Sequence, residues 1–114
     1  MATFSKVKFS ESTDGLPVKV VQTATVGTLI HTSHATALDE VWLYAYNGHT
    51  ADVVLTVEYG GATVPDQNII ITIPTKAGLT LVVPGLLLTN SKAIRAFAAT
   101  ANVITLSGFV NRIS

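Results

Sequence analysis

Residues 39–61 read DEVWLYAYNGHTADVVLTVEYGG, and the fold turns on how this stretch is paired. Apolar and polar residues alternate on both sides of Asn47-Gly48, the period-two pattern of half-buried strands. Asn-Gly between two such runs is a strong short-range hairpin signal. On the second strand Val53, Leu55, Val57 and Tyr59 share the buried face, while Val54, Thr56 and Glu58 point the other way. A two-residue turn at Asn47-Gly48 sets Trp42, Tyr44 and Tyr46 on the same face as Val53 and Leu55, as a core layer. A loop one residue longer turns all three outward, because a slip of one residue sends every side chain of a strand to the opposite face. The function of the three aromatics, core or contact surface, hangs on that register.

Working outward, the remaining chain continues in short strands. Residues 1–17 are polar and mixed, with Phe4 and Phe9 as isolated apolar points among Lys6, Lys8, Glu11 and Asp14, and they read as an extended arm. Strands are expected at residues 18–22 and 27–32, joined to the aromatic strand by a connector at 33–38 too short for a stable helix. Residues 68–73, with isoleucine on both faces, predict a central strand. Residues 79–83 predict a strand with Leu79, Leu81 and Val83 together, ended by Pro84-Gly85, so that Leu86, Leu87 and Leu88 fall in a connection. There they serve as a lid over the core or as a subunit contact. Residues 92–99 alternate Ile94, Ala96 and Ala98 against Ala93, Arg95 and Phe97, although their alanines also favour helix. Residues 103–113 form a closing strand with Ile104, Leu106, Gly108 and Val110 on one face, where Gly108 marks a bulge or a close backbone approach. About eight strands with frequent turns predict an all-β fold, an antiparallel β-sandwich of the eight-stranded jelly-roll kind, comprising residues 18–114 behind the 1–17 arm.

Composition narrows the function classes. Seven basic and seven acidic side chains cancel, which gives no electrostatic reach toward nucleic acid or an anionic membrane. Charged residues are only 12% of the chain, and sixteen positions are threonine. A surface of hydroxyls and amides rather than charges is expected when much of it is sheet face or is buried by partners. The absence of cysteine leaves no disulfide framework or thiol chemistry. The N-terminal stretch lacks the apolar run of a signal peptide, and residues 79–88 are too few to span a bilayer, so a protein made and used without export is expected.

Chemistry is sparse. His31 and His34, followed by Asp39 and Glu40, invite a metal reading of the cupin type, but positions three apart on a strand face opposite ways. Two solvated histidines at a strand end are expected instead, and no metal. His49 falls in the turn. No serine sits in a G-x-S-x-G elbow, no glycine-rich loop cradles phosphate, and the adjacent Asp39 and Glu40 diverge rather than form an acid–base pair. Neither catalysis nor a cofactor is expected. Binding remains, through Trp42, Tyr44 and Tyr46 if they are exposed, as a sugar-stacking platform or a protein interface.

HTSHATALDEVWLYAYN, the following TVEYGG, and LVVPGLLL leading into IRAFAATANVITLSGFVNRI together cover most of residues 31–113. In general pattern they resemble small proteins encoded among the virion structural genes of tailed bacteriophages. The resemblance implies a capsid decoration, or cement, protein that is synthesised in the host cytoplasm and placed on the outside of the head. It would act as a homo-oligomer, a trimer being favoured, bound to the major capsid protein through a terminal arm and loops. A head-fibre, neck or tail location is the variant of this reading, and a carbohydrate-binding β-sandwich is the alternative. The expected partner-contact residues are Phe4, Lys6, Lys8, Phe9, Trp42, Tyr44, Leu86, Leu87 and Leu88, and the carbohydrate alternative rests on Trp42, Tyr44 and Tyr46.

Overall fold

The structure, a computed structural model, describes residues 2–114; Met1, the first residue of the expected arm, lies outside the described residues. Nine strands and no helix occur among them. They are β1 (Phe4–Val7), β2 (Val18–Lys19), β3 (Thr28–Thr32), β4 (Leu38–Asn47) and β5 (Val53–Tyr59). β6 (Asn68–Ile73), β7 (Thr80–Leu88), β8 (Ala93–Ala98) and β9 (Ile104–Ile113) complete the set. One sheet runs β1-β9-β4-β7, with β2 also on β9, and the other runs β3-β8-β5-β6. Every pairing is antiparallel. The pairs β2·β9, β3·β8, β4·β7 and β5·β6 are nested, so the chain folds back on itself from both ends as one long ribbon wound into an all-β sandwich.

That nesting overturns the expected hairpin. β4 and β5 do not pair; residues 48–52 carry the chain from one sheet to the other. A type I′ turn needs positive φ at both central residues, and neither Asn47 nor Gly48 has it. Asn47 is instead a buried corner post. Its Nδ2 donates to the carbonyls of Ala51 (3.0 Å) and Ile73 (2.9 Å), and its Oδ1 accepts from the His49 N–H (2.8 Å). Its own carbonyl accepts from the Lys76 N–H, and the Gly48 N–H donates to the Val103 carbonyl. Hydrogen bonds to three separate segments outweigh a local turn preference.

The core lies between the sheets. Val41, Leu43, Ala45, Ile104, Leu106 and Val110 face it from one side, and Leu55, Val57, Ile94, Ala96 and Ala98 from the other. The faces expected for β5, β8 and β9 are those observed, and residues 93–98 are a strand despite their alanines. With β4 in the first sheet, its inward residues are Val41, Leu43 and Ala45, so Trp42, Tyr44 and Tyr46 face out.

Three further expectations change. β6 is an edge strand rather than a central one, and Ile70 on its outer face is 64% exposed. β7 continues through Pro84-Gly85 to Leu88, so Leu86–Leu88 are the end of a strand and neither a connection nor a lid. An edge position tolerates proline because one row of backbone groups needs no partner. Register shifts between Val41/Trp42 and Leu43/Tyr44 break its alternation. As a result Val82 and Val83 are both buried while Leu79 and Leu81 are exposed, contrary to the expected single face.

The N-terminal segment is extended and docked on its own chain. β1 pairs with the far end of β9, from Phe4↔Ile113 to Val7↔Val110. Phe9 is buried against the His31 ring, with centroids 5.7 Å apart, so it is a core residue and not the partner contact expected of it. Ser10 and Glu11 then run along β3, through Thr32 N–H to Ser10 Oγ (2.8 Å) and Glu11 N–H to the Ile30 carbonyl (3.2 Å).

Candidate functional site: the outer face of the five-stranded sheet

Register builds this face from segments far apart in sequence. Cross-strand pairing sets Lys6, Asn111, Glu40 and Leu87 in one row across β1, β9, β4 and β7. The next row is Phe109, Trp42 and Pro84, and the one beyond is Ser107, Tyr44 and Leu81. At the other end Phe4, Ile113 and Leu38 align.

At the centre Trp42 and Phe109 stack with centroids 6.4 Å apart and planes 19° from parallel. The Lys6 ammonium lies 4.7 Å from the Phe109 centroid, a cation–π contact. Glu40 Oε1 accepts from Trp42 Nε1 (2.8 Å) and from Asn111 Nδ2 (3.0 Å). The Asn111 amide and the Trp42 indole N–H hold the Glu40 carboxyl below its ordinary value. On the β7 side the indole rests against the backbone of Gly85, where a Cβ would come within 2.9 Å of Cζ2. The indole is thus held by Phe109, Glu40 and Gly85, and its one polar atom already has a partner. Such a ring can be covered by a partner without stranding a donor.

Of the residues expected to make contacts, Phe4, Lys6, Trp42, Tyr44 and Leu87 come together on this face. Lys8 is exposed beyond the end of β1, and Leu88 packs partly on the core. Leu86 sits opposite Val41, and its carbonyl accepts from the Tyr59 hydroxyl (3.0 Å). Phe109, Asn111 and Pro84 complete the face and were not anticipated. The alternation of residues 103–113 shows that Phe109 faces away from Gly108 and Val110, but nothing local to it pairs it with Trp42.

One of the two histidines also departs from expectation. His31 is buried, not solvated. Its Nδ1 accepts from the Ser10 N–H (3.0 Å), which puts the ring proton on Nε2, where it is donated to Asp39 Oδ2 (2.8 Å). Arg112 closes the network through Nε to Asp39 Oδ1 (2.8 Å) and a second guanidinium nitrogen to Oδ2 (3.0 Å). His34 is exposed and turns its Nδ1 back onto the N–H groups of Thr36 and Ala37. Among the described residues there is no pocket and no group of three or more His, Asp or Glu placed to hold a metal ion.

Burial pushes the Asp39 carboxyl up, but hydrogen bonds from Arg112 and His31 and the guanidinium charge outweigh it and hold the carboxyl below its ordinary 3.8. Burial and the Asp39 charge push the Tyr59 hydroxyl up to about 12. A carboxyl with a depressed folded pKa contributes stability that is present above its unfolded value and lost as pH falls through the folded one. Unfolding free energy should therefore decline as pH drops below 3.8, and Asp39→Asn should flatten that decline; urea titrations at stepped pH measure both.

No protein-family model, curated protein or solved structure matches the chain, and the reading of this face rests on its own geometry.

Proposed function

We propose that this protein is a structural virion subunit of the capsid decoration, or cement, type. The outer face of its five-stranded sheet docks on an assembled phage head, with the major capsid protein as partner and other copies of the chain as neighbours. The observation that carries the reading is the outward Lys6–Phe109–Trp42 stack, an aromatic centre whose indole N–H already has a partner in Glu40. Hot spots of protein interfaces have this make-up, with tryptophan and aromatic anchors inside a polar rim. Pre-organisation lowers the ordering cost of docking. The nested strand pairing supports the jelly-roll description of the sandwich. Binding only to the assembled shell would stabilise it by mass action, with no catalysis required.

Trp42 is the single tryptophan, so its fluorescence reports on this face directly. Trp42→Ala should weaken binding to isolated phage heads by about thirtyfold or more while leaving the circular dichroism spectrum and the melting temperature close to wild type. Co-sedimentation of labelled protein with heads measures this, and unchanged binding would remove the face from the proposal. The outward position of Trp42 and Tyr44 also favours the carbohydrate-binding reading. A titration with soluble glycans separates the two: saturable quenching of Trp42 by an oligosaccharide, without any binding to heads, would put the glycan reading first.

A further inference from the structure

The two sides of the sandwich are unequal, and the inequality names a second contact surface. On one side residues 8–12 pass from β1 to lie along β3 and cover its edge, and the edge of the other sheet is made of the short strands β1 and β2. That side is rich in charge: Lys6, Lys8, Glu11, Asp14 and Lys19. Charge and short strands are the usual means of keeping a sheet edge from pairing with another chain.

The other side has neither protection. The edges there are β6 and β7, joined by the short connection of residues 74–79, and the Tyr59 hydroxyl ties β5 to β7 at Leu86. Neither strand contains a charged residue, and Lys76 is the lone charge between Asp66 and Lys92. Five of the thirteen exposed large apolar side chains among the described residues fall in this stretch: Ile70, Leu79, Leu81, Leu86 and Leu87, of which Leu81 and Leu87 also border the outer face of the five-stranded sheet. An apolar surface of this kind is a contact site or an aggregation hazard.

We infer that the β6–β7 side is where copies of this chain meet one another. The occupant follows from charge. A foreign partner is ordinarily selected by complementary charges, which this side does not offer. A second copy needs none, because bringing this side of two copies together sets uncharged strand on uncharged strand, with Lys76 of the connection as the one charge to be left at the rim. The two bulges in β7 break it into short straight runs, so contact is by side-chain burial rather than by strand addition. A stable pair buries about 800 Å² per partner, roughly one-seventh of the 5931 Å² surface of the chain. The inference gives a named surface to the self-association in the proposal above, and it stands on the edge asymmetry whether or not the sheet face binds a phage head.

Sedimentation equilibrium of the full chain tests it. Wild type should sediment as a multiple of 12.0 kDa. Ile70→Lys with Leu79→Lys should weaken that association by about a hundredfold, with the melting temperature retained because both side chains are exposed. Phe4→Lys, on the protected side, should leave the mass unchanged. A wild-type monomer overturns the inference, and so does a double variant that keeps the wild-type mass. Dissociation by Phe4→Lys alone would move the contact to the opposite side. None of these outcomes alters the head-binding assay of Trp42→Ala, so the two readings fail separately.

Discussion

Asp39→Ala should lower the unfolding free energy by about 3 kcal/mol, from a total of about 5–15 kcal/mol for a domain of this size. Asp39 is inaccessible to solvent and is the acceptor shared by His31, Arg112 and the His34 N–H. Removing it strands the Nε2–H of a buried imidazole and takes the counter-charge from a guanidinium. The figure sits at the low end for a broken buried pair because the Arg112 side chain is 25% exposed and can turn toward water. Asp39→Asn keeps an acceptor for His31 but sets an amide N–H against Arg112 Nε–H or loses the charge that holds it, and should cost about 2 kcal/mol. Urea denaturation at neutral pH ranks the three proteins. A variant within about 0.5 kcal/mol of wild type, the margin of neutral surface changes, would show that the network orients these strands without stabilising them. The network also ties the ends of the fold together, since His31 carries Ser10 from the N-terminal segment and Arg112 lies on the last strand.

Much of the strand content was legible because alternation survives wherever one face is buried. β4, β5, β8 and β9 all show it, and Val53, Leu55 and Val57 were placed correctly from it. Pairing was not legible, and Asn47 shows why. Its side chain bonds Ile73, twenty-six residues away, and the turn chemistry of Asn-Gly carries no trace of that partner. The same holds for β7, where two bulges defeat a period-two reading, and for β6, whose isoleucines suggested a central strand although Ile70 is left uncovered. For the candidate site, Trp42 and Tyr44 stood out as alternating aromatics. Phe109 and Asn111 could not be joined to them, because a cross-strand neighbour sixty-seven or more residues distant leaves no local signal. His31 failed for a different reason: both histidines read as solvated residues at a strand end, and nothing in the local sequence shows that His31 is buried on Asp39 while His34, exposed as expected, caps its own turn.

Gly108→Ala should be among the most damaging single substitutions on the outer layers of this fold, costing about 3 kcal/mol or more. Gly108 has φ +143°, and a Cβ built there would come 2.0 Å from the Trp42 carbonyl oxygen and 3.3 Å from Leu43 Cα. Those atoms belong to backbone, so they cannot swing aside as a side chain would. β9 and β4 pair without interruption from Leu38↔Ile113 to Asn47↔Ile104, and Leu43↔Gly108 lies at the middle of that ladder. Relief requires the two central strands to part, which breaks hydrogen bonds and opens the layer over Val41, Leu43 and Leu106. Gly85→Ala provides the contrast. Its φ of +81° adds about 1–2 kcal/mol of backbone strain, but the nearest obstacle is the Trp42 ring, which can turn. The two variants should therefore separate stability from surface. Gly108→Ala lowers the midpoint of unfolding most, whereas Gly85→Ala shifts Trp42 emission in a protein that remains folded and weakens head binding. Equal losses of stability in both would mean that the indole is locked as firmly as the backbone beneath it, and that the aromatic face is part of the scaffold rather than a surface laid upon it.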